Sequence, residues 1–391
     1  MKRKGAMTML FIKNGHIKTM AGAEIENGAI LIGDDGKIAA IGADLTAPTG
    51  VEVIDAEGRL VTPGCVEGHS HIGLHGSAMR WEGLDINEKS DPVTPHLRSI
   101  DAIEPCDEMF ALALRGGVTT ACTGPGSANP VGGQSVVIKL AGKRVDDMIV
   151  KFPAAMKCAF GENPKNCYGQ SGGKQPQTRM ATAFLIRDLL EKAKRYLEAK
   201  EAGKDPNYDA KLEAMIPVMK GEIPMKAHAH RADDILTSIR IAKEYGVKLT
   251  LDHCTEGHLI AEELAAEGYP AFVGPSMCGK SKPELGKKTL ETAGVLYKAG
   301  VKISIITDAP VTAQERLPLC AGMAAANGLP MEEAWRAITI NPAEMLGVAD
   351  RIGSLEVGKD ADIVVWTADP LTVIGGEAYV TIVDGKVVYK A

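Results

Sequence analysis

Three absences limit the classes of protein to which this sequence belongs. Its eight cysteines are scattered and none forms a C-x-x-C pair, so we expect reduced thiols in the core rather than a disulfide framework. Lysine and arginine number 44 against 50 acidic residues, a net charge of -6, and this balance lacks the basic footprint of a nucleic-acid-binding protein. No segment approaches the ~20 apolar residues of a membrane span. We therefore expect neither nucleic acid nor a membrane as a partner.

The N-terminus begins with basic residues and then turns apolar, as a signal peptide does. Its apolar run, Ala6 to Ile12, is short, and residues 13–15 read Lys-Asn-Gly where a small-residue cleavage site belongs. We therefore expect a cytoplasmic protein.

The two ends of the chain share a β-rich pattern. Short β-branched runs separated by Asn-Gly and Asp-Gly pairs occur at both ends and predict hairpins. With 391 residues, of which 45% are apolar, the chain is long enough for an α/β barrel with an accessory module. The economical interpretation is a small β-sandwich module built from both termini, residues 1–62 and 352–391, with the rest of the chain inserted into it.

Strands and helices alternate between these ends, which predicts βα units around a parallel sheet. A strand over residues 226–230, followed by a helix after Ala232, is the clearest unit. Seven barrel strands are predicted in this way. The eighth is expected among residues 134–152, where a hairpin outside the barrel is the alternative. The predicted fold class is therefore α/β, with a (β/α)₈ TIM barrel over residues 63–351.

Histidines are concentrated at the ends of the predicted barrel strands. Four strands end in two H-x-H pairs and two single residues, which are His69 and His71, His228 and His230, His253, and Asp308. Positions i and i+2 of a strand point to the same face, and the C-terminal ends of parallel barrel strands open on one mouth. One pair alone is equally explained as a surface pair, and one aspartate as a helix cap, but recurrence at four strand ends indicates a metal site.

Imidazole nitrogen combined with carboxylate oxygen favours a divalent ion, zinc first, with manganese, iron, nickel or cobalt as alternatives. Either one ion or two fit this set of ligands. A bound ion lowers the pKa of its water towards ~7 and so produces a hydroxide nucleophile. Asp308 is then expected to accept the proton of the water as a general base and to pass it to the leaving group as a general acid.

Two stretches of the sequence resemble the amidohydrolase superfamily. VTPGCVEGHSH (residues 61–71) is similar to its strand-one metal motif. ITINPAEMLGVADRIGSLEVGKDADIVVW (residues 338–366) is similar to the passage where its barrel ends and its β module resumes. The resemblance covers nearly the whole chain and is nearest to the imidazolonepropionase-related branch. It implies a metal-dependent hydrolase of C–N bonds other than peptide bonds, with a homo-oligomer as a family-level expectation.

The resemblance also implies roles for individual residues. The implied metal ligands are His69, His71, His228, His253 and Asp308. His230 then becomes a group that contacts the substrate or supports a ligand, although strand geometry alone does not separate it from His228.

The bridging residue of a two-ion site in this superfamily is a carboxylated lysine or a glutamate, and residues 156–162 offer both. Lys157 lies inside the predicted strand, as a carboxylated lysine does. Glu162 lies at the C-terminal end of that strand, level with the other ligands, and is the preferred bridge. Its alternative is a loop carboxylate that pairs with Lys165.

Two arginines are candidates for binding the substrate. Arg179 and Arg231 each follow a barrel element on the expected active face, where a guanidinium suits a substrate carboxylate. A structural ion pair is the alternative for each.

The expected reaction is hydrolysis of a C–N amide-type bond in a small molecule, namely a cyclic amide, an N-acyl amino acid or a dipeptide. A deaminase of a heterocyclic amine is the alternative among enzymes, because the same hydroxide displaces ammonia. A catalytically inactive barrel scaffold is the alternative outside them, although inactive barrels usually lose ligands that are all present in this sequence.

Overall fold

The computed structural model describes residues 9–77, 79–170 and 173–391. Residues 1–8, where the predicted terminal module and the short apolar run begin, lie outside these ranges. The strands are β1 (Leu10–Ile17), β2 (Ile25–Ile32), β3 (Ile38–Gly42), β4 (Glu52–Asp55), β5 (Leu60–Pro63), β6 (Cys65–Ser70), β7 (Val118–Thr123), β8 (Val131–Lys139), β9 (Ile149–Ala159), β10 (Met225–Ala229), β11 (Leu249–His253), β12 (Ala271–Val273), β13 (Ile303–Ile305), β14 (Ile363–Trp366), β15 (Ala378–Val383) and β16 (Lys386–Lys390).

The helices lie mainly between the strands of the middle region. They are α1 (Glu108–Arg115), α2 (Val145–Met148), α3 (Glu162–Lys165), α4 (Arg179–Glu201), α5 (Ala210–Met219), α6 (Ala232–Tyr245), α7 (Ala261–Glu267), α8 (Thr292–Ala299), α9 (Leu317–Ala326), α10 (Met331–Arg336) and α11 (Ile340–Leu346). Short 3₁₀ turns span Ser99–Asp101, Gly257–Leu259, Pro283–Leu285 and Gln314–Arg316. A π turn spans Asn166–Gln170. None of the described helices has the length and apolar content that crossing a membrane requires.

Strands from both ends of the chain form one sheet, in the order β16-β15-β14-β5-β1-β2-β3, with β4 paired to β1. The two ends meet where β14 pairs with β5, and Val364 lies opposite Thr62. Aliphatic side chains such as Ile12, Ile30 and Ile363 are fully buried in this module. A β module assembled from both termini is therefore confirmed, while its boundaries at residues 62 and 352 stay a prediction.

The second sheet follows chain order from β6 to β13 and forms a nearly closed eight-stranded barrel. The two ends of the barrel sheet approach each other where the His71 N–H donates to the Ala309 carbonyl at 2.8 Å. Every residue of β7, β10 and β11 is buried, because helices cover the outer face of a sheet whose inner face is already packed. The predicted α/β barrel is confirmed.

The eighth barrel strand is β8, and it runs antiparallel to both of its neighbours, β7 and β9. The predicted segment over residues 134–152 therefore contributes the end of β8 and the start of β9. The eighth strand therefore lies where it was predicted, and the alternative of a hairpin outside the barrel is wrong, because β8 and β9 pair as a hairpin within the barrel sheet.

Helix ends follow residues with clear capping roles. The Thr178 hydroxyl accepts the Ala181 N–H at 3.1 Å at the start of α4, as an N-cap does. Helix α6 ends at Gly246 with φ of 66°, a left-handed conformation that glycine adopts without strain. The chain reverses there and enters β11 at Leu249, which carries His253 to the mouth of the barrel.

A buried lysine joins the barrel to the terminal module. Lys139 ends β8, and its Nζ lies 3.2 Å from Asp360, 2.5 Å from Asp362 and 3.1 Å from Asp384. Its side chain is 3% exposed. Burial lowers the pKa of Lys139, but the three carboxylates outweigh this effect and raise it above the ordinary value. Lys139 therefore remains charged.

We expect Lys139→Met to lower the free energy of unfolding by about 3–5 kcal/mol, because removing one partner leaves buried carboxylates uncompensated. Denaturant unfolding followed by circular dichroism measures the change. Lys143→Met, at an exposed position four residues away, is the matched control and should change stability by less than about 0.5 kcal/mol. Equal stabilities for the two variants would contradict the structural role of Lys139.

Candidate functional site

Two groups of three ligand-bearing side chains meet at the C-terminal mouth of the barrel. One group is His69, His71 and Asp308, and the other is His228, His230 and His253. Within each group the candidate ligand atoms lie within 4.8 Å of one another. The rings of His69 and His253 are 5.2 Å apart between centroids, so the two groups are adjacent. The structure thus brings both H-x-H pairs together with His253 and Asp308 at the mouth of the barrel, as the sequence predicted.

The first group directs three lone pairs to one point. The Asp308 Oδ1 lies 3.2 Å from His69 Nε2 and 3.3 Å from His71 Nε2. The His71 Nδ1 faces the Gly124 carbonyl at 2.7 Å, and the His69 Nδ1 faces the Asp252 carboxylate at 3.1 Å. Since these partners only accept, each Nδ1 carries a hydrogen, and Nε2 is the ring nitrogen that faces the other ligand atoms.

The Asp308 Oδ1 in this group is buried and accepts no hydrogen bond. Asp308 Oδ1 lies 3.2 and 3.3 Å from two imidazole nitrogens, and acceptor atoms this close repel one another unless a proton or a metal cation lies between them. The donor set of two imidazole nitrogens and one carboxylate oxygen therefore fits a divalent metal ion.

The second group has the same organisation around His253. The His253 Nδ1 donates to the Gly274 carbonyl at 2.8 Å, which leaves Nε2 free to bind a metal. His230 makes its Nδ1 contact with the Thr255 hydroxyl at 2.7 Å. The ring centroid of His228 is 4.6 Å from that of His230 and 4.4 Å from that of His253.

Burial disfavours the charged form of four of these histidines. It lowers the pKa of His69 and holds the pKa values of His228, His230 and His253 well below the ordinary value. The charge of Lys157 adds to the lowering for His69. Neutral imidazole is the form that ligates metal, so the electrostatics favour an ion over a proton.

A layer of charged side chains lies inside the barrel beneath these ligands. The Lys157 Nζ is 3.3 Å from His69 Nε2 and 3.2 Å from Asp252 Oδ2, and the Lys226 Nζ is 2.8 Å from Asp252 Oδ1. Burial raises the pKa of Asp252, but Lys226, His69 and Lys157 outweigh it and hold the value well below the usual range. Asp252 thus orients His69 and balances two buried ammonium groups.

Glu67 is a second buried carboxyl next to the site. It accepts the N–H of His69 at 3.0 Å and, through its other oxygen, the N–H and hydroxyl of Thr307 at 2.9 and 2.6 Å. Burial raises the pKa of Glu67 to about 7. These bonds hold the end of β6 against the segment that carries Asp308, which fixes the spacing of the first group.

The sequence analysis did not identify Asp252, Lys226 or Glu67 as part of the site. The sequence did carry a signal for them, since each is a charged residue inside a predicted barrel strand, and every residue of these three strands is buried in the structure. A charge in a strand that is buried on both faces needs a partner.

The preferred bridge, Glu162, belongs to neither ligand group. It begins α3, and its backbone N–H donates to Glu284 Oε2 at 3.0 Å. Lys157, the alternative bridge, has its ammonium against a ligand of the first group. The geometry therefore favours Lys157 over Glu162.

Both candidate arginines make ion pairs with neighbouring aspartates. Arg179 lies 3.0 Å from Asp234, and Arg231 lies 2.9 Å from Asp233. Neither lines the cavity above the histidines. The structure thus shows the ion-pair alternative for both, and their role in binding a substrate stays an untested prediction.

The cavity above the ligand groups has a volume of about 490 Å³, within the range of small-molecule sites. Its base contains members of both groups, and its walls are mixed. Polar lining residues include Asn163 and Lys282, and apolar lining residues include Ile86, Leu285 and Val311.

A family model described as "Amidohydrolase family" matches residues 60–388 of the chain. The chain belongs to the amidohydrolase family. By this membership it is a metal-dependent hydrolase that acts on small molecules. The match begins at β5 and ends in β16, so it contains all six residues of the two ligand groups.

Individual relatives agree with this assignment. The amidohydrolase tasK of Hapsidospora irregularis is 32% identical over 356 residues, which cover 83% of this amidohydrolase but only 36% of the relative. The chain thus corresponds to about a third of that longer protein. The imidazolonepropionase of Klebsiella pneumoniae (strain 342) is 29% identical to this chain, and the alignment covers 88% of this chain and 87% of the relative. The crystal structure of an amidohydrolase from Thermotoga maritima MSB8 superposes with a TM-score of 0.94 at 41% identity, over 98% of this chain and 100% of that one.

Proposed function

We propose that this amidohydrolase cleaves a C–N amide-type bond of a cyclic amide, an N-acyl amino acid or a dipeptide, at a two-ion centre that zinc fits best. The observation that carries the proposal is the presence of two adjacent groups of imidazole and carboxylate ligands at one cavity. Imidazole and carboxylate ligands suit zinc first and manganese, iron, nickel or cobalt next.

Each ion has a distinct set of protein ligands in this proposal. His69, His71 and Asp308 would hold one ion, and His228 and His253 would hold the other. Lys157 would contribute to the centre as its carbamate: its ammonium loses a proton, the amine attacks carbon dioxide, a C–N bond forms and a second proton is released. His230 completes the second group or contacts the substrate, since it lies in both the ligand group and the cavity lining.

Asp308 is the proton carrier in this proposal. Its Oδ1 faces His69 and His71, which leaves Oδ2 to accept a proton from the attacking water and to return it to the leaving nitrogen. A divalent ion bound here supplies Lewis acidity, which acidifies water and polarises the scissile carbonyl. Asp252 and the Gly124 and Gly274 carbonyls keep the histidine rings oriented throughout.

We expect the zinc- or manganese-loaded enzyme to release a new carboxylate and a new amine from at least one member of a panel of N-acetyl amino acids, dipeptides and cyclic amides. Liquid chromatography with mass spectrometry detects both products, and an ammonia assay on aminated heterocycles runs in parallel. Treatment with a chelator should abolish the activity, and added zinc or manganese should restore it.

Two results would contradict this function. Ammonia release from a heterocyclic amine without any amide cleavage would replace the amide hydrolase with a deaminase. Failure of the purified protein to bind zinc or manganese would remove the hydrolytic centre altogether.

A further inference from the structure

Lys282 places a positive charge in the wall of the histidine cavity. It lies on the loop after β12, immediately before the 3₁₀ turn Pro283–Leu285. Among the described residues that line this cavity, it is the only lysine or arginine. Its side chain is 22% exposed and forms part of the cavity lining, so it is not sealed in the core.

Two acceptors hold the Lys282 ammonium in place. Its Nζ lies 2.6 Å from Glu284 Oε1 and donates to the Asn163 Oδ1 at 3.1 Å. An ammonium carries three N–H donors, so two partners leave one donor for a ligand. Two fixed contacts also remove most of the rotamer freedom that a free lysine loses when it binds an anion.

The partners of Lys282 are themselves anchored. The Glu284 side chain is 1% exposed, and its Oε2 accepts the N–H of Glu162 at 3.0 Å. The Asn163 amide nitrogen donates to the Ser127 hydroxyl at 2.8 Å and lies 3.3 Å from His228 Nε2. The ammonium is therefore held by the residues that also border the second ligand group.

The other candidate cations for an anionic substrate are already engaged elsewhere. Arg179 and Arg231 pair with Asp234 and Asp233 outside the cavity. Lys282 differs from them because it lines the cavity, whose mixed wall also contains apolar residues such as Leu285 and Val311. A preorganised cation together with these apolar side chains suits an organic acid with an aliphatic or aromatic body.

We propose that Lys282 is the substrate-anchoring residue of this cavity and that it binds the carboxylate of an anionic amide, which favours an N-acyl amino acid or a dipeptide over an uncharged cyclic amide. The inference rests on the proposed function, because it assumes that the substrate occupies the cavity above the two ligand groups. Glu284 and Asn163 act as positioning residues for the ammonium.

The test compares two probes of the same size that differ at one group, which is a charged carboxylate in N-acetyl-L-leucine and an uncharged amide in N-acetyl-L-leucinamide. Titration calorimetry with the zinc-loaded protein measures their dissociation constants for wild type, Lys282→Met, Lys282→Arg and Lys280→Met. Lys280 is an exposed lysine of the same loop that does not line the cavity, so it is the matched control.

The expected result is a charge-specific loss. Lys282→Met should weaken binding of the acid about 10- to 100-fold, as expected for one charge-assisted hydrogen bond. It should leave binding of the amide nearly unchanged. Lys282→Arg should recover part of the affinity for the acid, and Lys280→Met should match wild type with both probes.

Three outcomes would overturn the inference. These are no binding of the acid to wild type, an equal loss for acid and amide in Lys282→Met, or a loss of the same size in Lys280→Met. Turnover of the amide panel, measured separately, distinguishes this failure from failure of the proposed function. If the enzyme hydrolyses neutral amides and Lys282→Met has no effect, the proposed function stands and the role of Lys282 is wrong. If Lys282 binds the acid in a charge-specific way but no amide is hydrolysed, the role of Lys282 stands and the proposed function is wrong.

Discussion

Asp308→Asn should reduce kcat by at least about 10³-fold on any amide that the wild-type enzyme cleaves, because general acid–base catalysis alone contributes about 10²–10⁴-fold and the same carboxylate is a proposed metal ligand. Asparagine keeps the shape of the side chain but neither accepts a proton at this position nor supplies a charge. The measurement is steady-state kinetics with metal-saturated protein, together with elemental analysis of the bound metal.

The control for this prediction is Asp350→Asn, an exposed aspartate outside the barrel mouth, which should retain wild-type kinetics. Circular dichroism of both variants checks that the fold is intact. Wild-type kcat in the Asp308→Asn variant would remove Asp308 from the proton-transfer role. A variant that retains its metal yet loses turnover would separate the acid–base role from the ligand role.

Lys157→Met should lower the metal content from about two ions per chain to one or none and abolish most of the activity. Methionine preserves the length of the apolar stem of lysine, but it offers no nitrogen for a carbamate and therefore no bridging oxygens. Elemental analysis of protein purified without chelator measures the metal content per chain. Wild-type apoprotein should also recover more activity when it is reloaded with metal in bicarbonate than in buffer freed of carbon dioxide.

Glu162→Ala is the matched comparison, because the sequence analysis preferred that residue as the bridge. The structure leaves Glu162 outside both ligand groups, so this variant should retain both ions. The opposite pattern, with ions lost in Glu162→Ala and retained in Lys157→Met, would move the bridge to Glu162. One ion per chain in wild type and in both variants would indicate a mononuclear centre.

Much of the site followed from local periodicity. The two H-x-H pairs end strands in which alternate residues share a face, so the direction of His69 and His71 was predictable without a tertiary structure. The position of Asp308 beyond the last barrel strand followed from the parallel arrangement of the strands. The β module built from both termini was likewise predictable, because hairpin signals occur at both ends of the chain.

The choice between Lys157 and Glu162 was not predictable in the same way. Both lie near the end of β9, and sequence position alone favoured the residue level with the other ligands. In the folded barrel, Lys157 points inward to Asp252 and His69, whereas the chain turns into α3 at Glu162 and directs its backbone towards Glu284. The long lysine side chain reaches the ligands from one layer below.

The sequence by itself determined the barrel class, the family and the convergence of six ligand-bearing side chains, since each depends on spacing within one strand or on motifs read along the chain. Only the tertiary structure decided that β8 enters the barrel antiparallel, that Arg179 and Arg231 pair with aspartates, and that Lys282 lines the cavity. The antiparallel entry of β8, the pairing of Arg179 with Asp234 and the place of Lys282 in the cavity depend on how separate elements pack against each other, and strand or helix periodicity does not fix that packing.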